Sequence, residues 1–422
     1  MNRSTEIVIT GMGIISPIGI SAEAFWDSLL KGRSGVRRIE LYEETPDIPV
    51  PMGGEVADFD PRKLVKPRKS LKVMSRDIQL GFVAADNARE DAGLDGDALD
   101  RARVGVVFGA DMIACDIYEL VPAYRKCLES GAFRMEDWGT KALPEMFPLW
   151  MLKYLPNMPA CHIGIAHDAR GPNNSLVQGE ASSLAALIEA VRLIERGQAD
   201  VIIAGGASFR THPTVWSYDR TFELSRRYDD PAAAVRPFDA SRDGMVHGEG
   251  AAAFVVEARR AAEARGAKIL ARVAGYSEAF ESRVAKRPWT GGAIRATIRQ
   301  ACERAGISGG DLGYVNARGL GTKHDDAVEA KAIRDTLGDV PVTALKGFFG
   351  NLSAASSAVE IAADLMAFRN GRIPYTVNYE TPDPECPVNV VRSSMRALDK
   401  PLVMKLSQSV AGHSISVVLS AD

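Results

Sequence analysis

The sequence predicts an α/β fold in which parallel strands are joined by helices. Short β-rich runs alternate with longer segments of helical period, several of those runs end in glycine, and 422 residues at 46% hydrophobic and 25% charged composition suffice for a large core.

The strands are expected at residues 7–10, 104–108, 201–204, 252–256, 314–316, 402–405 and 415–419. One helix is expected over 182–196, where Leu184, Leu187, Ile188, Val191 and Ile194 share a face and Gly197 stops the run. A second is expected over 354–369, with Val359, Ile361, Leu365 and Phe368 apolar and Gly371 following. The apolar residues of both are assigned to core packing. The Pro-rich, aromatic stretch 143–159 (LPEMFPLWMLKYLPNMP) breaks the rhythm and reads as an insertion that lines a pocket or a subunit contact. The polar stretch 257–268 joins two α/β halves, 1–256 and 257–422.

Charge excludes some functions. With 51 basic and 54 acidic residues spread along the chain and a net charge of −3, there is no basic footprint for nucleic acid or an anionic membrane surface. Cys115, Cys127, Cys161, Cys302 and Cys386 lie far apart with no CxxC pair, against a zinc site or a disulfide framework. The N-terminus has no basic start followed by a long apolar stretch, and no apolar run approaches spanning length. A cytoplasmic protein without membrane insertion, metal or cofactor is expected.

Gly11-Met12-Gly13 follows a strand but lacks the third glycine of a dinucleotide fingerprint, and Pro17 stands where a helix should begin. A strand broken by these glycines into a tight turn is the better expectation. The run 235–252 (VRPFDASRDGMVHGEGAA) is more specific, because it packs Asp239, Arg242, Asp243 and Glu249 among turn-favouring residues.

That run closely resembles the "RPFD..RDG...GEGA" pattern of the β-ketoacyl synthase family. Other family landmarks follow in order: ITGMGIISPIG at 9–19, GPN at 171–173, DVIIAGGAS at 200–208 and GLGTKHDDAVEA at 319–330. The resemblance spans nearly the whole chain and is closest in style to the discrete synthase II type. It implies the thiolase-like fold, a five-layered αβαβα sandwich of two similar halves, normally dimeric through a strand of the first half. It also implies decarboxylative condensation of malonyl units onto an acyl chain borne by acyl carrier protein.

The family's reactive positions are occupied differently here. Its acylated cysteine, at the start of a buried helix, falls on Glu180 in SLVQGEASS. The histidine of "HGT.TPL.D" falls on Arg318, and that of "K....GH..GAAG" on Asn351, with the preceding lysine kept as Lys346. The glycine-rich gating loop "NSFGFGGTN" has become residues 406–414, LSQSVAGHS. His162, His167, His212, His247, His324 and His413 fall outside the inherited positions, and Cys161 reads as a buried small side chain.

A glutamate is a far weaker nucleophile than a thiolate. The donors that stabilise a developing enolate are each worth a few kcal/mol, and a permanent cation at 318 would hold the carboxylate that must leave. Condensation is therefore expected to be absent, so the acyltransferase activity implied by the family is not expected of this chain. Glu180 is expected to pair with Arg318, with Lys346 converging on the same point, filling the old site.

The resemblance then points to the chain-length factors of type II polyketide systems, which lack the cysteine, usually carry glutamine there, and pair with an active synthase. A non-catalytic partner subunit for fatty-acid or polyketide synthesis is the leading expectation, with acyl carrier protein and an active paralogue, or a second copy, as partners. Two readings stand beside it: a residual malonyl-thioester decarboxylase or other acyl-thioester enzyme using Glu180, and a homodimer that binds acyl chains or carrier protein without processing them.

Overall fold

The computed structural model describes residues 5–39, 52–94, 99–218, 223–282 and 289–422. Its first half runs β1 (Ile7–Ile15), α1 (Arg76–Asp91), β2 (Val104–Gly109), α2 (Ile117–Leu128), α3 (Met158–Ala166), β3 (Asn173–Leu176), α4 (Ser182–Glu195), β4 (Val201–Phe209) and β5 (Glu249–Ala258). The second runs β6 (Ala271–Phe280), α5 (Gly292–Ala305), β7 (Tyr314–Asn316), α6 (Lys323–Leu337), β8 (Pro341–Thr343), α7 (Ser356–Asn370), β9 (Asn389–Val390), β10 (Leu402–Gln408) and β11 (His413–Ser420). The helix Ala22–Leu30, a small ladder of Val36–Arg38 with Met52–Gly54, and shorter helical segments lie between.

The strands follow the order β3-β2-β4-β5-β1 in the first half and β8-β7-β10-β11-β6 in the second, with β9 added at the far edge. The two orders repeat one topology. In each half the outer ladders are parallel and the inner two antiparallel, so the expected all-parallel arrangement holds only in part. The reason is local: β10 and β11 are joined by a hairpin turn, and a connection that short permits only antiparallel pairing. The halves meet where β1 pairs with β6 at Val8↔Arg272 and Ile9↔Ala271.

Helices α4 and α7 lie between the halves, α1 covers the outside of the first, and α5 with α6 covers the second. The result is five layers, αβαβα, with one apolar core between the sheets and one on each outer face. All seven expected strands fall inside observed ones, and the apolar faces assigned to α4 and α7 are packed in the central core.

Two local expectations are corrected. Strand β1 continues through Gly11 and Gly13, with a bulge in its ladder to β5 between Ile9 and Gly11, rather than turning there. A Cβ at these positions would stand 2.3 Å from the Ala88 carbonyl oxygen and 2.0 Å from that of Ala84, so the glycines let α1 lie close on the sheet. The insertion does not reach 159, because Met158 and Pro159 open α3. The stretch 257–268 carries structure of its own, since β5 continues to Ala258 and Arg259–Ala264 is helical.

Within the insertion Leu143, Phe147, Leu149 and Met151 are exposed. Among the described residues no helix is long and apolar enough to cross a membrane.

The charged run 235–252 ties the halves together. Asp239 accepts the backbone N–H groups of Ser241, Glu380 and Thr381. Arg242, fully buried, donates to the carbonyls of Asp239, Thr322 and Lys323 and pairs with Asp383. This explains why so many charges stand in fixed order in one loop: each satisfies backbone groups that burial would otherwise leave unpaired.

Candidate functional site

Gly179, with φ of +60°, makes the sharp turn that ends the segment after β3, and a single 3₁₀ turn Gly179–Ala181 leads into α4. Glu180 sits on this turn, 4% exposed, at the N-terminal end of a buried helix whose dipole favours a negative charge. Its carbonyl accepts from Ser407 Oγ at 3.0 Å and Ser357 Oγ at 3.3 Å, fixing the turn to β10 and α7.

Arg318 follows β7. Here α6 turns two carboxylates back onto the strand end: Glu329 accepts the N–H groups of Arg318 and Gly319 at 2.8 and 2.9 Å, and Asp326 accepts those of Leu320 and Gly321 at 2.9 and 3.0 Å. The backbone is thereby clamped and the guanidinium, 2% exposed, is held inward. Its Nη2 donates to Glu180 Oε1 at 2.9 Å and its Nη1 to Asp325 Oδ2 at 2.9 Å.

Asn351 is aimed by its own amide. Its Oδ1 accepts from Ser353 N at 3.0 Å and Ser356 Oγ at 3.2 Å, which leaves Nδ2 to face Glu180 Oε1 at 3.3 Å and Met245 Sδ at 3.3 Å. Glu180, Arg318 and Asn351 are therefore brought together.

Lys346 is not part of that contact. Its Nζ donates to the Arg318 carbonyl at 2.9 Å and to Glu360 Oε1 at 2.6 Å. The expected convergence of Lys346 on Glu180 is thus corrected: the ammonium holds the strand end behind Arg318, because Glu360 on α7 is its nearer anion. Glu360 is shared with Lys405, at 2.6 Å from Oε2. Two triads of alternating charge result, Asp325-Arg318-Glu180 and Lys346-Glu360-Lys405, linked through the Arg318 carbonyl.

Sequence reasoning missed Asp325, Glu360, Lys405 and Asp364. A signal existed for three of them. Lys405 interrupts the apolar run 402–406 that opens β10, and Glu360 and Asp364 stand a helical turn apart, both buried, on α7. Tyr314 Oη and Asn316 Nδ2 both donate to Asp364 Oδ1, at 2.7 and 2.8 Å.

Electrostatics separates these groups. Burial pushes the Glu180 carboxyl up, but the charge and hydrogen bond of Arg318 outweigh it and hold the group below the usual carboxylate range. Burial works against the Arg318 charge, yet its two carboxylates hold it firmly protonated. Lys346 is lowered, by burial first, with Glu360 opposing. Asp364 is pushed up to about 7 by burial.

A general base working near neutrality needs a raised carboxyl, so the downward shift of Glu180 suits a neutralised ion pair better than proton transfer. The groups hydrogen-bonded to its carboxylate are a guanidinium and a carboxamide. The five cysteines are free thiols, and among the described residues no cluster of three or more His, Cys, Asp or Glu could hold a metal.

The segment 406–414 is mostly strand. Leu406 to Gln408 complete β10, and β11 begins at His413. The turn between is closed by Ser409 N–H to the His413 carbonyl at 2.8 Å and Gly412 N–H to that of Ser409 at 3.0 Å.

The chain matches the family models described as "Beta-ketoacyl synthase, N-terminal domain" over residues 4–262 and "Beta-ketoacyl synthase, C-terminal domain" over residues 270–380. It is 35% identical to the tetracenomycin polyketide synthase ketoacyl synthase alpha subunit of Streptomyces glaucescens, over 100% of this chain and 98% of that protein. Among solved structures it is similar to the ishigamide ketosynthase/chain length factor, with a TM-score of 0.85 at 28% identity, covering 99% of this chain and 100% of that one. It is similar also to a type II polyketide ketosynthase solved with its acyl-carrier protein and bound to a hexaketide, with a TM-score of 0.84 at 27% identity, covering 100% of both chains.

Proposed function

The chain belongs to the β-ketoacyl synthase family, and from that premise we propose that it is a non-catalytic partner subunit, resembling a chain-length factor, in fatty-acid or polyketide synthesis. The single observation that carries this reading is the internal ion pair: Arg318 Nη2 meets Glu180 Oε1 at 2.9 Å where the family would present a thiol and an imidazole. A carboxylate so neutralised has little tendency to attack a thioester, and no acyl group can rest on it as a stable intermediate. On this reading the altered positions Glu180, Arg318 and Asn351 close on one another, and the retained Lys346 holds the Arg318 carbonyl from behind.

Partner binding suits the surface. Strand β3 is a sheet edge, and edge strands invite a further strand. In the chain segments before and after it Met112, Ile117, Tyr118, Ile165 and Val177 are exposed, apolar side chains that a partner would cover. The partner on this reading is an active synthase of the same family, or a second copy, with acyl carrier protein delivering the chain. On this reading the subunit divides into two similar halves, with the break after β5, whose end at Ala258 moves it from the expected 256. The test is reconstitution with an active paralogue, carrier protein and malonyl carrier protein. Omitting this subunit should change product length or rate, and an unchanged product spectrum refutes the reading.

A further inference from the structure

Over the whole chain 51 basic residues balance 54 acidic ones, but one segment breaks the balance. From Pro61 to Arg76 no Asp or Glu occurs, and Arg62, Lys63, Lys66, Arg68, Lys69 and Lys72 all fall in 62–72. All six are exposed. Lys63 stands 3.7 Å from Asp60, and among the described residues the other five have no ion pair.

The charges are held on an ordered ridge. Asp60 caps the short helix Pro61–Leu64 by accepting the Arg62 N–H at 3.0 Å, and a 3₁₀ segment spans Arg68–Val73. Val65 and Met74 are buried in the outer core of the first half, with Leu64 and Leu71 packed against it. Inward anchors of this kind fix the backbone, so the cations cannot spread apart to relieve their repulsion. A positive field concentrated in this way favours the approach of an anionic surface.

The ridge also stands near the charged cluster. It leads into Arg76, which donates to Glu249 Oε1 at 2.7 Å, and the adjoining Gly248 donates its N–H to the Asn351 carbonyl at 3.0 Å. An acidic protein and an anionic bilayer both match the charge. A bilayer is held by cations together with apolar side chains that enter it. Within 61–73 no large apolar side chain is exposed: Val65 is buried, and Leu64, Leu71 and Val73 are half-buried. The surface therefore fits an acidic protein.

Resting on the reading of the chain as a subunit of a condensing complex, we infer that residues 62–72 are a docking ridge for an acidic carrier protein. The inactive subunit on this account binds the carrier itself, although Glu180 takes no acyl group from it, and a pair with an active synthase holds a carrier on each subunit. Exposed charge speeds encounter more than it strengthens the bound state, which suits a carrier that must arrive loaded and leave again.

The experiment measures binding of the full chain, without a paralogue, to an acyl carrier protein of net negative charge by calorimetry, and to phosphatidylglycerol vesicles by flotation. The carrier should bind the chain alone, and about tenfold more weakly at ~0.5 M than at ~0.05 M salt. The triple variant Lys66→Glu, Lys69→Glu, Lys72→Glu should weaken binding at least ~tenfold with an unchanged thermal midpoint, since all three side chains are exposed. No binding by the chain alone, binding untouched by the triple variant, or capture by vesicles without binding of the carrier overturns the inference. The omission assay reads separately. A subunit that alters product length yet binds no carrier by itself refutes only the ridge, and one that binds the carrier without altering the product refutes only the partner reading.

Discussion

Glu180 and Arg318, 138 residues apart in the chain, meet through Oε1 and Nη2 at 2.9 Å inside the protein. Both side chains are buried, and the consequences of their pairing are measurable.

Removing one member should be far worse than removing both. Arg318→Met leaves the Glu180 carboxylate buried without its cation and should cost ~3–5 kcal/mol. The double variant Glu180→Gln, Arg318→Met should recover much of that loss. Urea unfolding of the four chains in the cycle gives the coupling energy, and an additive result would mean the pair does not stabilise the fold.

Acid sensitivity follows from the lowered carboxyl of Glu180. A folded pKa below the unfolded value of ~4.3 gives stability that is present above that value and is lost as pH falls through the folded one. Glu180→Gln should flatten the fall in denaturation midpoint below about pH 4. An unchanged acid limb would place the charge effect elsewhere.

Asp364 acts with the opposite sign. Its carboxyl is pushed up to about 7 by burial, so the folded chain holds a proton that the unfolded chain releases, and stability falls as pH rises from ~4 towards 7. Asp77 and Asp326 are also raised to about 7. Asp364→Asn should therefore lessen this slope without abolishing it, read from midpoints at pH 5 and pH 8.

Arg242 should be as sensitive as the central pair. Replacing it with methionine strips donors from the carbonyls of Asp239, Thr322 and Lys323, the first two buried, and abandons Asp383, at a cost of ~3–5 kcal/mol. Thermal unfolding followed by circular dichroism checks it.

Much of this was legible in the sequence, for identifiable reasons. Strands β2, β4 and β5 are short apolar runs, and α4 carries its apolar face at helical spacing. Strand β3, by contrast, reads Asn-Asn-Ser-Leu and is exposed at its start, so no apolar alternation marks it; only the ladder from β2 makes it a strand. Strand β8 has three residues and opens with a proline. Glu180, Arg318 and Asn351 were found because they stand at fixed offsets from recognisable motifs. The role of Lys346 was not, since Glu360 and Lys405 arrive from α7 and β10, and only the packed fold shows which carboxylate an ammonium prefers.

The most direct measurement incubates the purified chain alone with acyl and malonyl thioesters, following carbon dioxide release and the intact mass of the protein. A closed ion pair predicts no decarboxylation above the uncatalysed rate and no acyl adduct. Turnover or an adduct that disappears in Glu180→Gln would contradict it, and would make Glu180 a catalytic group.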